Sequence, residues 1–327
     1  GLFKDVKGIG WYVDAFNRAQ ISINFNNYKV STIHDVYDAA CRLADERGIR
    51  VTGSELVGLI PLEAMVMAGK HYLAKQNRSI GVPTADIVEC AVQSLGLNDV
   101  TKFDPQEKII DYAVTSEDRP LMGLTGSGFV EELSTNSPAP GGGSVSALAG
   151  SLGAALSSMV AALTHEKKEM LDSKPEMEAI GVEAQALKGR LSFLVDEDTN
   201  AFNKVMDANR LPATTPEEEE TKSAAVESAN KYAIDIPFET AEKCYRVIEL
   251  AEVLVEKGNP NSISDAGVAA EVALAGVRGA SMNVLINLPG VDDQSFCDEK
   301  RKAVDELIQK AEAKHKDVFI KTLEVIE

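Results

Sequence analysis

Apolar and polar positions alternate along residues 10–25 and then change period. Gly10-Trp-Tyr-Val13 and Ala19-Gln-Ile-Ser-Ile-Asn-Phe25 are rich in β-formers and flank Asp14-Ala-Phe-Asn17, which predicts a hairpin. Ile33, Val36, Tyr37, Ala40 and Leu43 then share one helical face, with Ser31 or Thr32 as cap and Gly48 as stop. Ile49 to Val51 reads as a short strand, Pro61 opens a helix through Lys70, and Thr84 to Leu95 reads as another ending before Gly96. Strands alternating with helices predict an α/β unit over residues 1–97. Residues 98–120 are polar, lack a clear period and read as a linker.

From 121 to 327 the pattern is helical throughout. Pro138-Ala-Pro-Gly-Gly-Gly143 breaks the chain, and Ser144 to Thr164 then runs 21 residues without a charge. That length reaches a membrane span, but its richness in Ser, Gly and Ala suits a helix buried in a tight bundle. Ser173-Lys-Pro-Glu176 and Thr215-Pro-Glu-Glu218 read as capping boxes. They open helices to about Asn209 and to Gly258, the second with a kink expected at Pro237. A helix of small residues from Asp265 to about Leu288 and a last one from Asp293 to Val325 complete a predicted all-α bundle.

Composition narrows the class. The formal charge of −18 is uneven, net −3 over residues 1–120 and −15 beyond, so the helical part repels nucleic acid and anionic membrane at long range. Cys41, Cys90, Cys244 and Cys297 have no CxxC spacing and read as reduced thiols of a cytoplasmic protein. His34, His71, His165 and His315 form no metal-ligand pattern, so no metal is expected. The chain opens Gly-Leu-Phe-Lys, without a secretory leader, which suggests that an upstream portion lies outside it.

Three features stand out as chemistry. Leu187, Leu191, Val195, Asp198, Phe202 and Val205 share one face, so Asp198 stands where leucine is expected. A buried carboxylate costs several kcal/mol unless paired or hydrogen-bonded; it is either satisfied by a facing helix or functional. Asp196 and Glu197 are expected on the exposed face. Gly258-Asn-Pro-Asn-Ser-Ile-Ser-Asp265 is the second feature: helix caps account for part of it, yet Asn259, Asn261, Ser262 and Ser264 crowd Asp265 more densely than a cap needs. Asp265 and the inward Asn283 cannot flank one ligand within a helix, being about 27 Å apart. Asn283 and Asn287 are therefore structural or face a site completed by another subunit. Third, Gly141-Gly-Gly-Ser144 leaves free N–H groups at a helix start, a weak anion signal that matches neither the Walker pattern nor GxGxxG.

Pro138-Ala-Pro-Gly-Gly-Gly-Ser144, Asp196-Glu-Asp-Thr-Asn-Ala-Phe202 with Arg210-Leu-Pro212, and Gly258 to Asp265, in that order, resemble the formiminotetrahydrofolate cyclodeaminase domain. Gly8-Ile-Gly-Trp-Tyr12, Ala19-Gln-Ile-Ser22, His34-Asp-Val-Tyr37 and Gly53 to Pro61 resemble the C-terminal subdomain of glutamate formiminotransferase. Together they look like the bifunctional formiminotransferase-cyclodeaminase family. The resemblance implies a folate-dependent, dimer-based enzyme, a homodimer or higher homo-oligomer, that passes folate, often as a polyglutamate, between sites. Glutamate or formiminoglutamate would be the other substrate. The family's transferase histidine belongs to an N-terminal subdomain outside this sequence, so transferase turnover is not expected of the chain as it stands.

The reaction so implied closes 5-formimino-tetrahydrofolate to 5,10-methenyl-tetrahydrofolate with loss of ammonia, tetrahydrofolate being the carrier. It needs a proton removed from N10, one delivered to the leaving nitrogen, and a partner for a cationic carbon. Asp198 and Asp265 are the expected catalytic carboxylates, Asn259, Asn261 and Ser264 the orienting groups, and Gly142, Gly143 and Ser144 the contacts to an anionic part of the ligand. A methenyl-tetrahydrofolate cyclohydrolase and a non-catalytic oligomerisation scaffold are the alternatives.

Overall fold

A computed structural model describes residues 1–114 and 119–326. They form two compact units, divided between Glu117 and Asp118.

The first unit opens with strands β1 (Val6–Val13) and β2 (Arg18–Phe25), paired antiparallel from Val6↔Phe25 to Val13↔Arg18. Asn17 supplies the positive φ that the connecting turn needs. Helix α1 (Ile33–Asp45) starts where Thr32 accepts the Asp35 N–H. Helices α2 (Leu62–Lys75) and α3 (Thr84–Ser94) pack closely at Gly69, where a Cβ would lie 2.0 Å from the Ile87 carbonyl oxygen. Ile49 to Val51 forms no strand; Ile49 is exposed and has no sheet to join. The segment expected as linker folds instead. Its short helices α4 (Pro105–Lys108) and α5 (Ile110–Val114) follow buried Phe103 and flank buried Ile109, and Ile60 bridges to Ile109 in parallel. Two anchoring apolar residues give no period, which is why the pattern missed them.

The second unit is a bundle: α6 (Gly126–Leu133), α7 (Gly142–His165), α8 (Lys174–Asn209), α9 (Pro216–Lys257), α10 (Ile263–Asn287) and α11 (Gln294–Ile326). The Thr215 capping box forms, with Glu218 reaching back, and α9 runs unbroken through Pro237. Ser173 is no cap; a 3-10 turn over Lys168–Ser173 feeds α8 directly, leaving its hydroxyl without that role.

Glycines let α7 sit deep. A Cβ at Gly150 would lie 2.3 Å from the Cys244 sulfur, and one at Gly153 would lie 2.8 Å from the Ala269 carbonyl oxygen. Its hydroxyls are satisfied internally: Ser146, Ser157 and Thr164 donate to the carbonyls of Gly142, Gly153 and Val160, and Ser151 bonds Ser192. By length and composition alone Gly142–His165 and Pro260–Gly290 are apolar enough to cross a membrane, yet about half of each apolar window is buried in the bundle.

Candidate active site

Asp198 sits against the first turn of α7. Gly141, the N-cap residue of that helix, offers no side chain to its free N–H groups. Asp198, arriving from α8, takes that place: it accepts the Ser144 backbone N–H, and the Ser144 hydroxyl lies 3.3 Å from Oδ2. The same hydroxyl donates to the Val195 carbonyl at 2.8 Å and is 3.5 Å from the Thr199 hydroxyl. Gly143 must be glycine, because a Cβ there would stand 2.0 Å from Asp198 Oδ1. Gly142 faces Asn283, whose amide nitrogen would be 3.2 Å from an added Cβ and donates to the Gly279 carbonyl.

Two opposed effects act on the Asp198 carboxyl. Burial pushes its pKa up, and the Ser144 hydrogen bonds pull it down less strongly, so the net direction is upward. A half-buried acid held in this way can take and return a proton nearer neutrality than a surface carboxylate.

Its neighbours do different work. Asp196 and Glu197, expected on the exposed face, are both buried. Asp196 accepts the N–H groups of Leu121 and Met122, at 2.8 and 3.3 Å, and ties the start of the second unit to α8. Burial opposes ionisation of Glu197, but hydrogen bonds from Tyr232, Asn200 and Lys204 outweigh it and hold its pKa below the usual range. A helix enclosed on several sides buries more than one stripe. Tyr232 also borders an open cleft of about 530 Å³ along α9, which Asp198 does not line.

The Gly258–Asp265 segment is built differently. A 3-10 turn spans Pro260–Ser262, with the Asn259 side chain accepting the Asn261 N–H. Asn259 and Ser262 are buried, Asp265 is half-buried, and Asn261 and Ser264 are exposed. The Asn259 N–H donates to the Thr164 hydroxyl at 2.9 Å, next to the C-terminal end of α7.

This divides the expected site. Helices α7 and α10 run antiparallel, with Gly142 beside Asn283, Ser146 beside Gly276 and Gly279, and Gly153 beside Ala269 and Val272. Continuing that register sets Asp265 level with residues 157–160, whereas Asp198 is level with Gly143 and Ser144. At about 1.5 Å per residue the offset is about 20–25 Å. Within one copy Asp198, Gly142, Gly143 and Ser144 stand together; Asp265, Asn259, Asn261 and Ser264 stand at the other end. The inward spacing of Asn283 was the available signal that it joins the Asp198 end; nothing in the sequence pointed to Tyr232. Asn287 donates to the Ala233 carbonyl and is structural. Among the described residues no three His, Cys, Asp or Glu side chains are grouped to hold a metal.

Comparison with known proteins identifies the scaffold. The family model described as formiminotransferase-cyclodeaminase matches residues 125–306, and that of the formiminotransferase domain matches residues 1–115. The chain is 36% identical over 95% of its length to formimidoyltransferase-cyclodeaminase of Rattus norvegicus, and spans 58% of that relative. Over 58% of its length it is 39% identical to methenyltetrahydrofolate cyclohydrolase of Methylorubrum extorquens, covering 92% of it. A crystal structure of formiminotetrahydrofolate cyclodeaminase from Thermotoga maritima superposes with a TM-score of 0.57 at 29% identity, over 63% of this chain and 98% of that one.

Proposed function

The chain belongs to the formiminotransferase-cyclodeaminase family and carries its cyclodeaminase domain, and from that premise we propose that residues 119–326 convert 5-formimino-tetrahydrofolate to 5,10-methenyl-tetrahydrofolate and ammonia. N10 attacks the protonated formimino carbon, forming the new C–N bond. The N10 proton moves to the former imine nitrogen, and the bond from carbon to that nitrogen then breaks. Ammonia departs and the methenyl cation remains, so a cation enters and a cation leaves. Asp198 is the carrier of that one proton, accepting from N10 and donating to the leaving group, and its charge is restored at the end. Its burial beside Ser144 carries the reading. While ionised it also faces the cationic carbon. Holding N5 and N10 at closing distance supplies much of the remaining rate.

Gly142, Gly143 and Ser144 are assigned to the ligand's anionic part. Asp265, Asn259, Asn261 and Ser264 stand at the other end of α7 within one copy, so they are assigned to the ligand's orientation only as residues of the second copy in a homodimer. The same reading makes the intact protein bifunctional, with a glutamate formiminotransferase supplying the formimino group from histidine degradation, in a cytoplasmic homodimer. The match of residues 1–115 to the transferase domain supports it, as do four free cysteines.

Likeness to the Methylorubrum extorquens protein favours a second reading, opening of the methenyl ring by water. The kcat/KM for ammonia release from 5-formimino-tetrahydrofolate, set against that for hydrolysis of the methenyl compound, separates the two. The deaminase reading requires the first to dominate; hydrolysis without ammonia release would establish the cyclohydrolase.

A further inference from the structure

Two asparagines lie on the inward face of α10, and they are used differently. Asn287 donates to the Ala233 carbonyl and so ties α10 to α9. Asn283 donates to the Gly279 carbonyl of its own helix, at 2.8 Å, and braces no neighbour. A bond within one turn of helix adds little that alanine, the better helix former, would lack. It does orient the amide. The nitrogen end is held by a carbonyl, and the oxygen end is left over. Among the described residues no donor reaches that oxygen, and Asn283 is half-buried, open in part to solvent.

Close packing sets where this amide stands. α10 lies on α7 through Gly276 and Gly279, where an added Cβ would stand 3.0 Å from the Ser146 carbonyl oxygen and 2.4 Å from the Ser146 hydroxyl. One turn further along α10, Asn283 abuts Gly142, while Asp198 abuts Gly143 from α8. Because both positions are glycine, no side chain of α7 comes between the amide and the carboxyl group. Consecutive Cβ positions on a helix are about 5 Å apart. The amide nitrogen is 3.2 Å from one such position and the Asp198 oxygen 2.0 Å from the next, so the two groups are no more than about 11 Å apart.

We propose that Asn283 selects the formimino nitrogen of the ligand: its Oδ1 accepts an N–H from that group and so distinguishes it from a formyl oxygen. The inference rests on the ring-closing reading above, in which Asp198 serves the same reacting centre. 5-Formimino- and 5-formyl-tetrahydrofolate have the same shape at N5 and differ in one position, N–H against O. The first presents a donor there and the second only an acceptor. A fixed acceptor pairs with the first and sets two lone-pair oxygens against each other with the second.

The hydrogen bond lasts through the reaction. The protonated formimino nitrogen carries two hydrogens, gains the one that leaves N10, and departs as ammonia with three, so a hydrogen faces Oδ1 at each stage. N10, the carbon and the formimino nitrogen, with a hydrogen bond at either end, span about 8 Å, which lies within the separation of the two side chains. An amide does not titrate, so this acceptor stays the same over the range in which Asp198 exchanges its proton.

Two ligands compared across variants test the assignment. For each chain the inhibition constant of 5-formyl-tetrahydrofolate against ammonia release is divided by the KM for 5-formimino-tetrahydrofolate. Wild type is expected to give a ratio above about ten. Asn283→Ala is expected to bring the ratio to within about threefold of one and to lower kcat/KM for the formimino compound about thirtyfold. Asn283→Asp keeps an acceptor oxygen but, when ionised, cannot donate to the Gly279 carbonyl; it is expected to hold the ratio above about ten. Both variants should keep the helical circular dichroism of wild type. A residue that only braced α10 would be harmed alike by both replacements and would leave the ratio unmoved.

A wild-type ratio near one overturns the proposal whatever the variants do. So does an Asn283→Ala chain that keeps the wild-type ratio, and in that case ammonia release by wild type leaves the role of Asp198 standing. A wild-type chain that binds the formimino compound and releases no ammonia removes the ring-closing reading, and this inference with it.

Discussion

Asp198→Asn separates two roles that its surroundings allow: a carboxylate that only caps α7, and one that also moves a proton. Asparagine keeps the shape and is itself a good N-cap. Its remaining oxygen can accept the Ser144 N–H, and the Ser144 hydroxyl still has the Val195 carbonyl at 2.8 Å. One hydrogen bond weakened at this position costs about 1 kcal/mol. Against that stands the burial penalty on the ionised acid. The folded-state pKa of Asp198 is raised, burial exceeding the Ser144 hydrogen bonds. A raised carboxyl pKa means that stability falls as pH rises through the unfolded value toward the folded one. The neutral variant escapes this loss. Its stability relative to wild type should therefore improve from acid toward neutral pH, with the variant close to wild type or above it at pH 7. Activity should behave otherwise, falling at least a hundredfold, or about 2.7 kcal/mol of transition-state stabilisation. Urea unfolding at several pH values, beside steady-state ammonia release, makes the comparison. Near-normal turnover with unchanged stability would reduce Asp198 to a helix cap and refute the mechanism.

Three further outcomes follow from packing and charge. Gly143→Ala places a Cβ 2.0 Å from Asp198 Oδ1; it should lower stability by about 1–3 kcal/mol in chemical unfolding and abolish ammonia release. Gly69→Ala drives a Cβ into the Ile87 carbonyl oxygen. It should destabilise the first unit by a similar amount, about 1–3 kcal/mol, and leave ammonia release unchanged in the whole chain, with hydrogen exchange showing the loss confined to α2 and α3. For Glu197 the sign is opposite to that of Asp198. Its pKa is lowered in the fold, so its stabilising contribution is present above the unfolded value of about 4.3 and is lost as pH falls through the folded one. Glu197→Gln should flatten acid unfolding in that window, as followed by circular dichroism.

How far residues could be placed in advance depended on how local their determinants are. The Thr215 capping box needs only four consecutive residues, and it forms as read. Ser173 carries the same local code but follows a 3-10 turn, and a nearest-neighbour rule does not see that turn. Asp198 was legible because one inward carboxylate interrupts a helical stripe. The burial of Asp196 and Glu197 was not, since it depends on Leu121 and Tyr232 arriving from elsewhere in the chain. The separation of Asp265 from Asp198 depends likewise on α7 and α10 packing antiparallel. Sequence spacing measures distance along one helix and says nothing of which ends meet. The folding of residues 98–114 onto the first unit hangs on Phe103 and Ile109, too few apolar positions to set a period.

The central claim, that ring closure expels the formimino nitrogen, is tested most directly by a single-turnover experiment with the chain in excess over 5-formimino-tetrahydrofolate labelled with ¹⁵N at that nitrogen. The account predicts labelled ammonia and methenyl-tetrahydrofolate appearing together, one for one, at the same rate. Methenyl product without labelled ammonia, or unchanged substrate beside a folded chain, would contradict it.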